Sequence, residues 1–145
     1  MTRYEAEQIL RVRFIDNFDQ TIPVCFENRE NFWLCTSPLT YSEKPSNDMW
    51  IRFYFVNNAS YQVSFASKGN RTFNRTGLII AQINYPQGSG VEEPKELGES
   101  IIDIFEGERI QSIYCDAGTL REQGIQDDGF YMNYVSIPFN FDTRK

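Results

Sequence analysis

A chain of 145 residues, 41% hydrophobic and 15% aromatic, has the size and composition of one folded domain, able to bury roughly two-thirds of its extended surface in a single core. Twenty acidic against 14 basic residues give a net charge of −6, which excludes tight general binding to nucleic acid, because such affinity comes from cations that displace phosphate counterions. Histidine is missing altogether, so Ser-His-Asp and Cys-His mechanisms are excluded and the commonest metal ligand is absent.

Thr2 to Asp19 reads as an amphipathic helix whose apolar side is Ala6, Ile9, Leu10, Val12, Phe14 and Phe18. Thr2 and Glu5 stand at capping-box spacing at its start. Pro23 prevents continuation, and Ile22 to Phe26 reads as a short strand whose proline predicts an edge position. Residues 28–48 read as a long loop, with Phe32, Trp33 and Leu34 expected to pack on the core. No signal-peptide core and no apolar run of about 18 residues is present, so the chain is expected to be soluble, free of membrane and made in a cytosol. Cys25, Cys35 and Cys115 are accordingly expected to be reduced.

The stretch from Met49 to Gly90 holds the strongest strand signals. Ile51, Phe53 and Phe55 alternate with Trp50, Arg52 and Tyr54, and Ile79, Ala81, Ile83 and Tyr85 alternate with Leu78, Ile80, Gln82 and Asn84. Between them a polar, Gly-punctuated segment predicts a hairpin arm over residues 57–77, with a weaker alternating patch at Tyr61, Val63 and Phe65. From Met49 to Val91 there are four cations, Arg52, Lys68, Arg71 and Arg75, and no carboxylate, whereas all 20 acids lie elsewhere. A basic projection on an acidic body complements a second copy of itself, and such a heterologous contact closes into a ring or runs on as a filament. Asn-Arg-Thr occurs at 70–72 and again at 74–76; in a strand, that spacing of four sets Arg71 and Arg75 on one side. Arg52, Phe65, Lys68, Arg71, Phe73 and Arg75 are the expected subunit-contact residues.

Pro86 to Gly90 breaks the pattern. A helix follows, entered near Pro94 and closed by Gly107, with Leu97, Ile101, Ile104 and Phe105 inward and Glu96, Glu99, Asp103 and Glu106 outward. Arg109 to Cys115 reads as a strand, Leu120 to Ile125 as a weaker one, Asp127-Asp128-Gly129 as a hairpin turn and Phe130 to Phe141 as a long strand. Pro138 predicts an edge or a bulge there, and residues 142–145 a mobile tail. The order implies an α+β fold: one domain over residues 1–145, a mainly antiparallel β-sheet with two α-helices packed on it and a projecting β-hairpin arm.

Little chemistry accompanies it. Gly88-Ser89-Gly90 is followed by no Gly-Lys-Ser/Thr, and Glu92 and Glu93 would repel a phosphate. The adjacent acids at 92–93 and 127–128 are solvated turn or helix-start residues, and Asp116, Asp127 and Asp128 lack calcium-loop spacing. No catalytic, cofactor or metal residue is expected, and the chain is not expected to be an enzyme. A carbohydrate-binding β module, with Trp33, Trp50, Tyr54, Tyr61 or Tyr131 stacking on sugar rings, is the alternative of another class.

Trp50-Ile51-Arg52 on a strand, the polar hairpin ending Arg-Thr-Phe-Asn-Arg-Thr-Gly (71–77), the run into Tyr-Pro-Gln-Gly-Ser-Gly (85–90), and Asp-Asp-Gly-Phe-Tyr (127–131) before Ile-Pro-Phe (137–139) together resemble the tail terminator, or tail completion, proteins of long-tailed bacteriophages. The resemblance covers residues 49–141 and, more loosely, the first helix, and the sequence departs from it in segment 28–48 and in the acids before Gly129. It implies a structural virion protein without catalytic residues. Such proteins form a homohexameric ring at the head-proximal end of the tail, stop addition of tail tube protein, and meet the head–tail connector protein. Assembly would be in the host cytoplasm, with DNA passing through the ring without specific binding, as a negative protein permits. A head-completion, connector or other minor tail protein is the nearest alternative.

Overall fold

The computed structural model describes residues 1–18, 22–26, 49–88, 90–126 and 129–145, together with the backbone of 32–34 and 40–41. Helix α1 (Arg3–Asn17) starts on the expected capping box. Thr2 Oγ1 accepts from the Glu5 amide at 3.2 Å while the Glu5 carboxylate accepts from the Thr2 amide at 2.8 Å, so two amide donors at the helix start are satisfied reciprocally. Ala6, Leu10, Phe14 and Phe18 are buried. Val12, expected beside them, is 52% exposed, because two residues past Leu10 the helix has turned about 200°.

The strands are β1 (Pro23–Phe26), β2 (Phe32–Leu34), β3 (Thr40–Tyr41), β4 (Trp50–Gln62), β5 (Thr72–Pro86), β6 (Arg109–Ile110), β7 (Ile113–Cys115), β8 (Thr119–Ile125) and β9 (Phe130–Arg144), with α2 (Glu92–Phe105) between β5 and β6. They form one sheet in the order β3-β2-β1-β4-β5-β9-β7-β6, and β8 also pairs with β9. Every described pairing is antiparallel except β1 with β4. The α+β class is as expected.

Both helices lie on one face. Phe14 stacks on Phe53 with centroids 4.3 Å apart, Phe53 faces Phe105 at 6.3 Å, and Ile79, Ile83, Val135, Ile137 and Phe139 complete the floor. Each such side chain contributes roughly 1.5–3 kcal/mol on burial, which makes this aromatic seam the main cohesion between helices and sheet. Gly77 lies under the seam's end: a Cβ there would sit 2.6 Å from the Phe139 ring and 2.9 Å from the Val56 carbonyl oxygen, so only glycine fits.

Several expectations are corrected. β1 is an interior strand; Pro23 is its first residue, set against Leu34 of β2, and the parallel pairing to β4 begins one residue later, at Val24, so no donor is lost on the β4 side. The segment 28–48 contains two strands, β2 and β3, not loop throughout; the rest of it, and the side chains of Phe32, Trp33 and Leu34, lie outside the described residues. Arg109 to Cys115 is two short strands joined at Gln111, whose φ is +54°. Pro138 is central. Its carbonyl accepts from the Asp116 amide at 2.8 Å, on the side where β8 gives way to β7, so its missing N–H points into that break and not toward β5. Finally, residues 142–144 continue β9 and pair with Asn74, Phe73 and Thr72 of β5, so the expected mobile tail is strand.

Candidate functional site

The arm is three strands wide. Past a bulge between Asn57 and Ser60, which the Thr76 hydroxyl bridges by accepting from the Ala59 amide (3.0 Å) and donating to its carbonyl (3.1 Å), β4 runs to Gln62 and turns back into β5, with the end of β9 on the far side. Backbone bonds between Arg71 and Lys145, at 3.0 and 2.8 Å, close its tip. Phe65 there is 92% exposed, and Tyr61 and Val63 are 60% and 57% exposed. Three apolar side chains thus stand in water at this end of the arm.

Of the six expected contact residues, the structure gathers five on the arm. Lys68 is exposed in the turn, while Arg71, Phe73 and Arg75 are half-buried on the face that also carries the helices. Arg71 and Arg75 share that face, as their spacing requires. Arg75 is nevertheless tied inward: Nη1 donates to Ser60 Oγ (3.0 Å), Nε donates to Thr143 Oγ1 (3.2 Å), and the guanidinium lies 5.8 Å from the Phe73 ring centre. Arg52 stands apart. It lies on the opposite face, over the Trp50 ring at 5.6 Å, paired in register with Gln82 and ten residues along β5 from Thr72.

Three further cations join the arm that sequence spacing did not place there. Arg144 and Lys145 arrive through β9, and Arg3 through α1, its Nη2 donating to the same Ser60 Oγ at 2.7 Å; Thr143 Oγ1 donates to the Met1 carbonyl at 2.6 Å. Arg3, Lys68, Arg71, Arg75, Arg144 and Lys145 thus occupy one end of the molecule, and among the described residues none of them has an ion pair. Asp142 at that end is engaged, accepting from Asn74 Nδ2 at 3.0 Å.

Neither helix covers the other sheet face, which is aromatic and polar. Gln82 Nε2 donates to the Tyr54 hydroxyl at 3.0 Å, and burial, followed by the adjacent Tyr134 hydroxyl, pushes Tyr54 above its ordinary value. The aromatics considered for sugar stacking are not arranged as one platform: Trp50 is buried, Tyr131 stacks on Tyr85 at 5.6 Å, and Tyr61 is on the arm. Among the described residues no group of three or more Cys, Asp or Glu side chains converges as a metal site would require. No described helix is long and apolar enough to cross a membrane. Cys115 is buried outside any disulfide, with its thiol pushed up to about 12 by desolvation, which makes it unreactive.

A sequence profile described as phage tail terminator protein matches residues 10–139. The chain belongs to the phage tail terminator family. It is therefore a structural component of a bacteriophage tail. One solved structure superposes with a TM-score of 0.60 at 13% identity, covering 96% of this chain and 97% of that one, which shows that the two share a fold. No curated protein matches the sequence. The matched span takes in β4, β5, α2 and residues 130–139 of β9, so the first two strands of the arm and the acidic helix belong to the family's own domain, while Arg3, Arg144 and Lys145 lie outside the match.

Proposed function

We propose that the 145 residues act as one unit that assembles into a closed homohexameric ring at the head-proximal end of the tail, where it ends tube polymerisation and joins the tail to the head connector. The observation that carries this reading is the separation of charge: a basic, apolar-tipped arm at one end of a chain whose net charge is −6. Donor and acceptor patches that differ give a head-to-tail contact, which closes into a ring when the rotation between copies divides a full turn. Arg52, Phe65, Lys68, Arg71, Phe73 and Arg75 are the residues assigned to the subunit contact, with Arg75 positioning the arm from within. The partners are further copies of the chain, the tail tube protein on one face and the connector on the other, with DNA passing an acidic lumen that does not retain it. No catalysis is assigned.

Electron microscopy of the purified chain, alone and with tail tube subunits, tests this. Rings, and tubes of reduced length capped at one end, are expected; tubes that grow to the same length distribution with no density at their ends would sink the capping role.

A further inference from the structure

Helix α2 turns Leu97, Ile101, Ile104 and Phe105 into the core and leaves Glu92, Glu93, Glu96, Glu99 and Asp103 in solvent. Glu92, Glu96, Glu99 and Asp103 succeed one another at spacings of four, three and four, which aligns like charges along one stripe. Such neighbours destabilise a helix. Asp103 stands near its C-terminus, where the dipole favours a cation, and no basic residue occupies the last turn. Elsewhere the fold uses its acids: Glu5 caps α1, Glu106 accepts from the Gly118 amide at 2.7 Å, Glu122 pairs with Lys95 at 2.9 Å, and Glu108 approaches Arg13 at 4.0 Å. Among the described residues, five of the six carboxylates without any hydrogen bond or ion pair are on α2, the sixth being Asp16. Glu92 and Glu93 suit the positive N-terminal end of the helix, whereas Glu96, Glu99 and Asp103 have no such explanation within the fold.

The cations that match it are on the arm. The two do not meet inside one chain: no described ion pair joins them, and the helix packs over Val135 and Ile137, whose β5 partners Ala81 and Ile79 stand about 30 and 23 Å along the strand from Thr72, which Lys68 and Arg71 precede. Apolar surface is matched as well. Val91, at the start of α2, is 47% exposed, as Phe65 and Val63 are at the tip of the arm.

We propose that the outer face of α2 is the seat for the arm of a second copy of this chain, with Lys68, Arg71 and Lys145 set against Glu96, Glu99 and Asp103. The proposal rests on the ring reading above and names its contact. Each copy gives one arm and receives one, so the chain of contacts closes only when the last helix accepts the first arm. Charge sets register and encounter rate, and the apolar tip excludes water from the seam.

Two reversed variants test it: Glu96→Lys with Glu99→Lys and Asp103→Lys on the helix, and Lys68→Glu with Arg71→Glu and Lys145→Glu on the arm. Each alone should need roughly 10- to 100-fold more protein than wild type to associate in low-salt sedimentation, given what exposed ion pairs contribute. Mixed in equal amounts they should regain the wild-type mass, because helix and arm of alternate copies again carry opposite signs. Circular dichroism confirms that each variant is folded; should the lysine triple not fold, Glu96→Gln with Glu99→Gln and Asp103→Asn must weaken association and flatten its salt dependence. A wild-type ring whose mass is untouched by the helix variants, or reversed variants whose mixture is no larger than either alone, overturns the contact and leaves the ring standing. A wild-type chain that stays monomeric at every concentration overturns both.

Discussion

Arg71 and Arg75 show what spacing conveys about a residue and what it omits. Period two correctly assigns them to one face, yet Arg75 spends its donors on Ser60 and Thr143 while Arg71 leaves its buried Nε without an acceptor. The difference comes from partners 15 and 68 residues away, and no local pattern encodes those. Cys115 offers a test at this scale. Its thiol is pushed from 9.0 up to about 12 in the folded chain, mainly by burial, so above pH 9 the unfolded chain loses a proton that the folded chain keeps. The stability tied to this group is full below pH 9 and is lost progressively as pH rises from 9 toward 12. Urea midpoints at pH 8 and pH 10 should therefore fall further for wild type than for Cys115→Ala; equal falls would assign the slope to other groups.

At the scale of elements, alternation located β4, β5 and β9, and the proline-to-glycine frame located α2, because a half-buried face writes its period directly into the chain. Pairing is another matter. The parallel neighbour of β1, the strands inside 28–48 and the β9 extension along the arm depend on which backbone donors find partners across the sheet, and side-chain pattern does not report that. The readings of Pro23 as an edge residue and of Pro138 as an edge or bulge residue are corrected on related grounds: a proline is tolerated in an interior strand at the strand's first residue or where its missing donor falls in a break between neighbours. The arm should accordingly depend on β9. Removing residues 142–145 takes away the pairing to Thr72–Asn74 and the Thr143 bonds to Arg75 and Met1. With each lost bond contributing about 0.5–1.5 kcal/mol, amide exchange over Thr72–Arg75 should quicken by about tenfold or more while the core amides of Ile79–Ile83 stay protected. Unchanged exchange at 72–75 would mean that β4 and β5 hold the arm alone.

For the whole molecule, the sequence carried the fold class and the acidic body with its basic hairpin, whereas the gathering of Arg3, Arg144 and Lys145 at the arm required the chain to be folded. An assembly held by that end should be salt-sensitive. Screening shortens from about 10 Å at 0.1 M to about 3 Å at 1 M, so sedimentation in 1 M salt should show smaller species than in 0.05 M. A mass independent of salt would point instead to the apolar tip as the dominant contact. The course of β9 also has a practical side: Met1 and Lys145 both sit within the arm, so a purification tag fused at either place would crowd the surface proposed for assembly.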